Sequence, residues 1–103
     1  MIEGQFTPQA RRELRAAATW IAEDNRAAAV GLTRAALQAA TMIAGKPMLA
    51  RIRLYLAPPR YRFWSLRGYP YLLVFDTDAD PLVVARFVHH ARDLPTVLND
   101  LEQ

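Results

Sequence analysis

The apolar residues of this chain change period once, at "AGKP" (residues 44–47), and that change limits the fold more than any other feature. Before it the spacing is helical. Thr7-Pro8 reads as a helix start, with threonine as N-cap and proline in the first turn. Ala10, Leu14, Ala17 and Ile21 then lie on one face, and Asp24-Asn25 suits a polar turn. A second helix is expected from about Arg26 to Ala44, with Val30, Leu37, Ala40 and Ala44 as its inner stripe and Leu32 and Ile43 beside it. Its many alanines favour helix and permit close packing. Gly45, Lys46 and Pro47 form a stop signal, and the short link between the helices makes an antiparallel hairpin. A weak first strand, "IEGQF" (2–6), precedes them.

After Pro47 the period drops to two. "RIRLYL" sets Ile52, Leu54 and Leu56 against Arg51, Arg53 and Tyr55. "YRFWSL" (61–66), the turn at Arg67-Gly68 and "YPYLLVF" (69–75) form a hairpin. "DTDADP" makes the next turn, and "LVVARFVH" (82–89) is the last strand, alternating Val83, Ala85 and Phe87 against Leu82, Val84 and Val88. Asp93 is expected to cap a short terminal helix carrying Leu94, Val97, Leu98 and Leu101. The last two strands are apolar on both faces, as strands covered on both sides are. The helical hairpin covers one face and leaves the other short of cover, so a second chain is expected to complete it; the alternative is that the terminal helix and arginine stems suffice. Phe63 is assigned to the core, Trp64 to an interface on the face of Arg62, and Trp20 to helical packing.

At 103 residues, 52% hydrophobic and 22% charged, the chain is one globular domain, 1–103. No apolar run approaches the roughly 20 residues of a membrane span. The start "MIEGQFTPQ" has no signal-peptide pattern, so a cytoplasmic protein is expected. Without cysteine there is no disulfide framework and no thiolate metal site. The net charge is only +3, yet Lys46, Arg51, Arg53, Arg60, Arg62 and Arg67 follow one another with no acidic residue between. Such a run suits an acidic protein or a nucleic acid, and a solvated arginine-rich face explains it as well.

The order of strand, helical hairpin, basic connector, three-stranded meander and terminal "HHARDLPTVL" resembles the ParE/RelE superfamily of bacterial type II toxins, and most closely its ParE branch. Three stretches carry the resemblance: "FTPQARRELRAAATWIAEDN" (6–25), "RFWSLRGYPYLLVF" (62–75) and His89-His90-Ala91-Arg92-Asp93 within "VHHARDLPTVLNDL" (88–101). It implies an α+β, RelE/ParE-like fold: an N-terminal strand and antiparallel helical hairpin on a mainly antiparallel sheet, with a short C-terminal helix. It implies a toxin of the kind that stabilises plasmids, inhibits DNA gyrase and is neutralised by a ParD-like antitoxin whose acidic C-terminal segment folds on it. RelE-type relatives instead cleave messenger RNA on the ribosome.

A metal-free ribonuclease needs a group that can move a proton and at least two convergent cations. The only lysine, Lys46, lies beside the helix stop, and the chain ends "VLNDLEQ" without the terminal histidine or tyrosine of RelE-like enzymes. Arg86, His89, His90 and Arg92 remain as a set for that alternative. The inhibitor reading assigns no catalytic residue, cofactor or metal. It takes Arg53, Arg60, Arg62, Trp64, Arg67, Arg86, His89 and Arg92 as antitoxin- or target-binding residues, with Arg86 and Arg92 as ligands for carboxylates. One histidine is expected to anchor the strand end. A plain nucleic-acid-binding domain using Arg51, Arg53, Arg60, Arg62 and Arg67 ranks below both, because the total charge is small and no reading helix is evident.

Overall fold

The computed structural model describes residues 5–101. Helix α1 (Pro8–Ala22) starts where threonine and proline direct it: Thr7 Oγ1 accepts from the backbone N–H of Ala10 at 3.2 Å, and Pro8 opens the first turn. Ala10, Leu14 and Ala17 are buried and Ile21 is half-buried, as their spacing predicts. Trp20 is not part of that packing; it is 72% exposed. Asn25 caps helix α2 (Arg26–Gly45) by accepting from the N–H of Ala28 at 3.0 Å. At the other end the N–H of Lys46 returns to the carbonyls of Met42 and Ile43, and Pro47 begins a single 3-10 turn, Pro47–Leu49.

The inner stripe of α2 is rotated from the expected one. Ala29, Leu32, Ala36, Ala39, Ala40 and Ile43 are buried, whereas Val30 is 56% exposed and Ala44 faces outward. A helix apolar nearly all round gives periodicity little to choose by; close approach of its neighbours selects the small residues. By length and composition α2 is also apolar enough to cross a membrane, contrary to the expected absence of any such run; in this fold its buried stripe packs against the sheet and α1.

Four strands form an antiparallel meander in the order β1-β2-β3-β4: β1 (Arg51–Ile52), β2 (Tyr61–Ser65), β3 (Tyr71–Asp76) and β4 (Val83–His89). The extended run expected at 51–56 is cut to two residues, because Leu54–Leu56 turn; Leu54 and Tyr55 are 70% and 74% exposed while Leu56 is buried. Gly68 has φ +86° in the β2–β3 turn, a conformation that suits glycine. The strand expected at residues 2–6 lies mostly outside the described residues. Within them, Phe6 makes an isolated parallel bridge to Val84 and Thr7 N–H donates to the Val84 carbonyl at 2.9 Å.

Two apolar layers sandwich the sheet. On the helical side lie Phe6, Leu66, Tyr71, Leu73, Phe75, Val84 and Phe87 with the inner faces of α1 and α2. On the other lie Tyr61, Phe63, Leu72, Val74 and Val88, covered by Leu56, Ala57, Leu98 and Leu101. Each large side chain fully buried in this way contributes about 1.5–3 kcal/mol. All five residues from Tyr71 to Phe75 are therefore buried. The second face is closed by the chain itself, so the expectation of a partner there is corrected: two short segments reach it because the sheet is narrow.

Two local expectations also change. The register of β3 and β4 shifts between Val74 and Phe75, leaving Ala85 as the extra residue. Val84 and Phe87 thus share the helical face, against simple alternation. The terminal helix is shortened to α3 (Leu94–Val97) followed by a 3-10 turn, Asn99–Leu101. Asp93 stands at its cap position without bonding a backbone N–H; its carboxylate instead accepts from Thr96 Oγ1 at 2.8 Å.

Candidate functional site

The two edges of the sheet are treated differently. Along β4 the outer edge is closed. The Val84 and Ala85 carbonyls accept from Thr7, and Glu13 Oε1 accepts from the Phe87 N–H at 2.8 Å. At the other side β1 pairs with β2 only as far as Phe63, so Trp64 and Ser65 are paired to β3 and have no strand beyond them among the described residues. An edge of this kind is a template for an added strand.

Beside that open edge lies a trough. One part, about 360 Å³, is lined by Leu49, Arg51, Arg53, Phe63, Trp64, Ser65, Leu66 and Arg67. The next, about 420 Å³, continues onto α2 at Ala35, Gln38, Ala39 and Met42, and the two share Trp64, Leu66 and Arg67. Among the described residues no acidic side chain lines either part. Met42, Met48, Leu49 and Ile52 are large apolar side chains exposed in this sequence neighbourhood. Arg53 lies 5.5 Å over the Phe63 ring, which holds its charge at the trough wall. Arg53, Trp64 and Arg67 of the expected binding set are thus brought together.

Arg60, Arg62 and Arg86 of the expected set are engaged within the chain. Arg60 grips Asp76 with two bonds of 3.2 and 2.8 Å, lies 3.8 Å from Asp78 and stacks over Tyr61. The hydrogen bond to Asp76 raises its pKa, with burial opposing and the charges of Asp76 and Asp78 adding. Arg62 donates to the Ala50 carbonyl at 2.9 Å, fixing the approach to β1. Arg86 is turned inward at the closed edge: Nε and one terminal nitrogen meet Glu13 Oε2 at 2.9 and 2.7 Å, and the other donates to Asp100 and the Val97 carbonyl. Burial works against its charge, and Glu13 first and Asp100 second more than offset it, so its pKa is raised. Arg86 is here a strut between α1, β4 and the terminal turn.

His89 and Arg92 occupy a separate cleft of about 240 Å³, where Glu13, Ala16 and Ala17 of α1 face Tyr71, Phe87 and Val88. Tyr71 stacks on Phe87 with centroids 4.9 Å apart and meets the His89 ring edge-on at 5.2 Å. Burial raises the Tyr71 pKa, which keeps its hydroxyl protonated. His89 anchors the strand end: its Nδ1 accepts from the Ala91 N–H at 3.0 Å, and His90 N–H donates to the Pro70 carbonyl at 2.9 Å. Periodicity could not flag Tyr71, Glu13 or Leu49, which reach these sites through cross-strand register or from another element; the exposed apolar run after the helix stop was the available sign for Leu49.

Among known proteins, no curated sequence and no solved structure matches the chain. The family model described as the ParE toxin of the type II toxin–antitoxin system parDE matches residues 5–94, which take in α1, α2 and the entire sheet. The chain belongs to the ParE toxin family, and so is the toxin half of a type II pair whose other half is an antitoxin.

Proposed function

We propose that this toxin acts in the cytoplasm by binding DNA gyrase, and that a ParD-like antitoxin silences it by occupying the trough beside the open edge of β2. The observation that carries the antitoxin assignment is that edge together with its lining. The outer side of β2 at Trp64 and Ser65, which no strand covers among the described residues, can take an extended segment, the apolar floor takes its side chains, and Arg51, Arg53 and Arg67 face it with no acidic neighbour among the described residues. An acidic, partly extended or amphipathic segment is the complementary ligand. Gyrase as target rests on the family resemblance and on how few groups are left for catalysis.

A second reading, a ribosome-dependent messenger-RNA endonuclease, is favoured by one observation: His89, Arg92 and Tyr71 line one cleft. Against it, the Glu13 carboxylate there is held by Arg86 and the Phe87 N–H, and Arg86 itself is consumed, leaving Arg92 as the cation with no ion pair among the described residues. A pentavalent phosphate needs more than one. The experiment is direct. Toxin freed from its antitoxin is added to gyrase and supercoiled plasmid, and in parallel to translating ribosomes. Accumulation of cleaved plasmid with intact messenger supports the proposal; cut messenger with untouched gyrase refutes it. Arg53→Glu and Arg67→Glu should each weaken antitoxin binding by at least tenfold, as expected for reversing a charge in a complementary interface.

A further inference from the structure

The cleft at the end of β4 has the makings of a second recognition site. It exists because α1 presents two small residues, Ala16 and Ala17, opposite the stacked rings of Tyr71 and Phe87. Three hydrogen-bond donors line it. The Ala91 N–H occupies His89 Nδ1, which places the ring proton on Nε2, and that nitrogen has no partner among the described residues. The Tyr71 hydroxyl and the Arg92 guanidinium have none either among the described residues, although Tyr71 is 9% exposed. Glu13 also lines the cleft, but its two oxygens are taken by Arg86 and the Phe87 N–H, so its charge is matched inside the fold.

We propose that this cleft recognises a single carboxylate, the side chain of an aspartate or glutamate on the toxin's target protein, and that it does so independently of the antitoxin trough. Three donors with one unpaired cation suit a singly charged oxyanion. A phosphate bearing two charges would meet only Arg92 in compensation, whereas the single charge of a carboxylate is matched by it. The apolar side of the cleft, Ala16, Ala17 and Phe87, suits the methylene stem of an acidic side chain. Trough and cleft lie at opposite edges of the sheet, at β1–β2 and at β4, so one ligand need not displace the other. That the protein is a toxin acting by binding is the reading on which the word target rests; the carboxylate site stands on the geometry alone.

The test separates the two. Uniformly ¹⁵N-labelled toxin, with and without its antitoxin, is titrated with N-acetyl-aspartate N-methylamide, with the matching asparagine compound and with inorganic phosphate. Saturable amide shifts centred on Tyr71, His89 and Arg92 are expected with the aspartate compound alone, unchanged by antitoxin. They should disappear in Arg92→Gln and in Ala16→Leu, the latter filling the cleft from an exposed helix position while every charged side chain is kept. Shifts with phosphate but not with aspartate, shifts spread evenly over the arginines, or no saturable shift would each overturn the carboxylate site. Loss of the shifts on adding antitoxin would overturn its independence. In a gyrase assay both variants should raise the toxin concentration needed for half-maximal effect at least tenfold while changing antitoxin affinity less than twofold. Wild-type potency in both variants would remove the target from the proposal. A wild-type toxin inert toward gyrase, with the titration as expected, would instead fault only the choice of gyrase.

Discussion

Removing Arg86 should separate its two ionic arms by their burial. The arginine joins Glu13, whose side chain is 17% exposed, and Asp100, whose side chain is 59% exposed. In Arg86→Met the aliphatic stem is largely retained and the charge is gone. Glu13 is then left as a mostly buried carboxylate with no cation, accepting only from the Phe87 N–H and, at 3.3 Å, from Gln9 Nε2, a situation that costs about 3–5 kcal/mol. Asp100→Ala removes a partner that water screens, so its loss should cost no more than about 1 kcal/mol. Combining Arg86→Met with Glu13→Gln removes both charges, and Gln can still accept from Phe87. The double variant should recover more than half of the loss, because replacing both members of a buried pair is often close to neutral. Urea unfolding followed by tryptophan fluorescence measures all four proteins; against a typical total of about 5–15 kcal/mol the single-variant loss is large. Equal costs for Arg86→Met and Asp100→Ala, or no recovery in the double variant, would refute the assignment of Arg86 as a buried strut. Binding loss without stability loss would return it to the interface.

Three further outcomes follow from the same geometry. A Cβ added at Gly31 would collide with the Tyr69 hydroxyl, so Gly31→Ala should forfeit the roughly 1 kcal/mol that alanine normally gains in a helix and show net destabilisation, yet give that gain in a Tyr69→Phe background; additive effects in a thermal melt would contradict the contact. Leu98→Ala, which opens a void over the second face, should cost about 2–5 kcal/mol, and a loss under 1 kcal/mol would mean the terminal turn is not the cover described. Tyr71 has a folded pKa raised by burial, so the folded state holds its proton more tightly; its contribution is full below about pH 10, where unfolded tyrosine begins to ionise, and declines as pH rises through the folded value. Stability measured from pH 8 to 11 should therefore fall less steeply in Tyr71→Phe than in the parent, and identical slopes would contradict the raised value.

Much of the fold is legible locally. Thr7, Asn25 and Pro47 set helix ends by bonds or lost donors within three or four residues, and the strands from Tyr61 to His89 follow from short apolar runs bounded by turn residues. The sites are less so. Arg53, Arg60, Arg62, Arg67 and Arg86 look alike in sequence, but Asp76, the Ala50 carbonyl and Glu13 claim three of them and leave Arg53 and Arg67 at the trough. Those partners lie 12 to 73 residues away along the chain for the engaged arginines, beyond the reach of any short motif.

Local patterns therefore determined most of where this chain coils, extends and turns, the run at 51–56 and the shortened terminal helix excepted, because caps, breakers and apolar period act over a few residues. Which side of α2 faces inward, where β4 bulges, that the second sheet face is closed from within and which arginines remain at the surface were decided only by the assembled structure. Packing volume and charge pairing depend on what is adjacent in space, and in a helix apolar all round and a chain with one dominant type of cation the sequence offers no local preference to anticipate them.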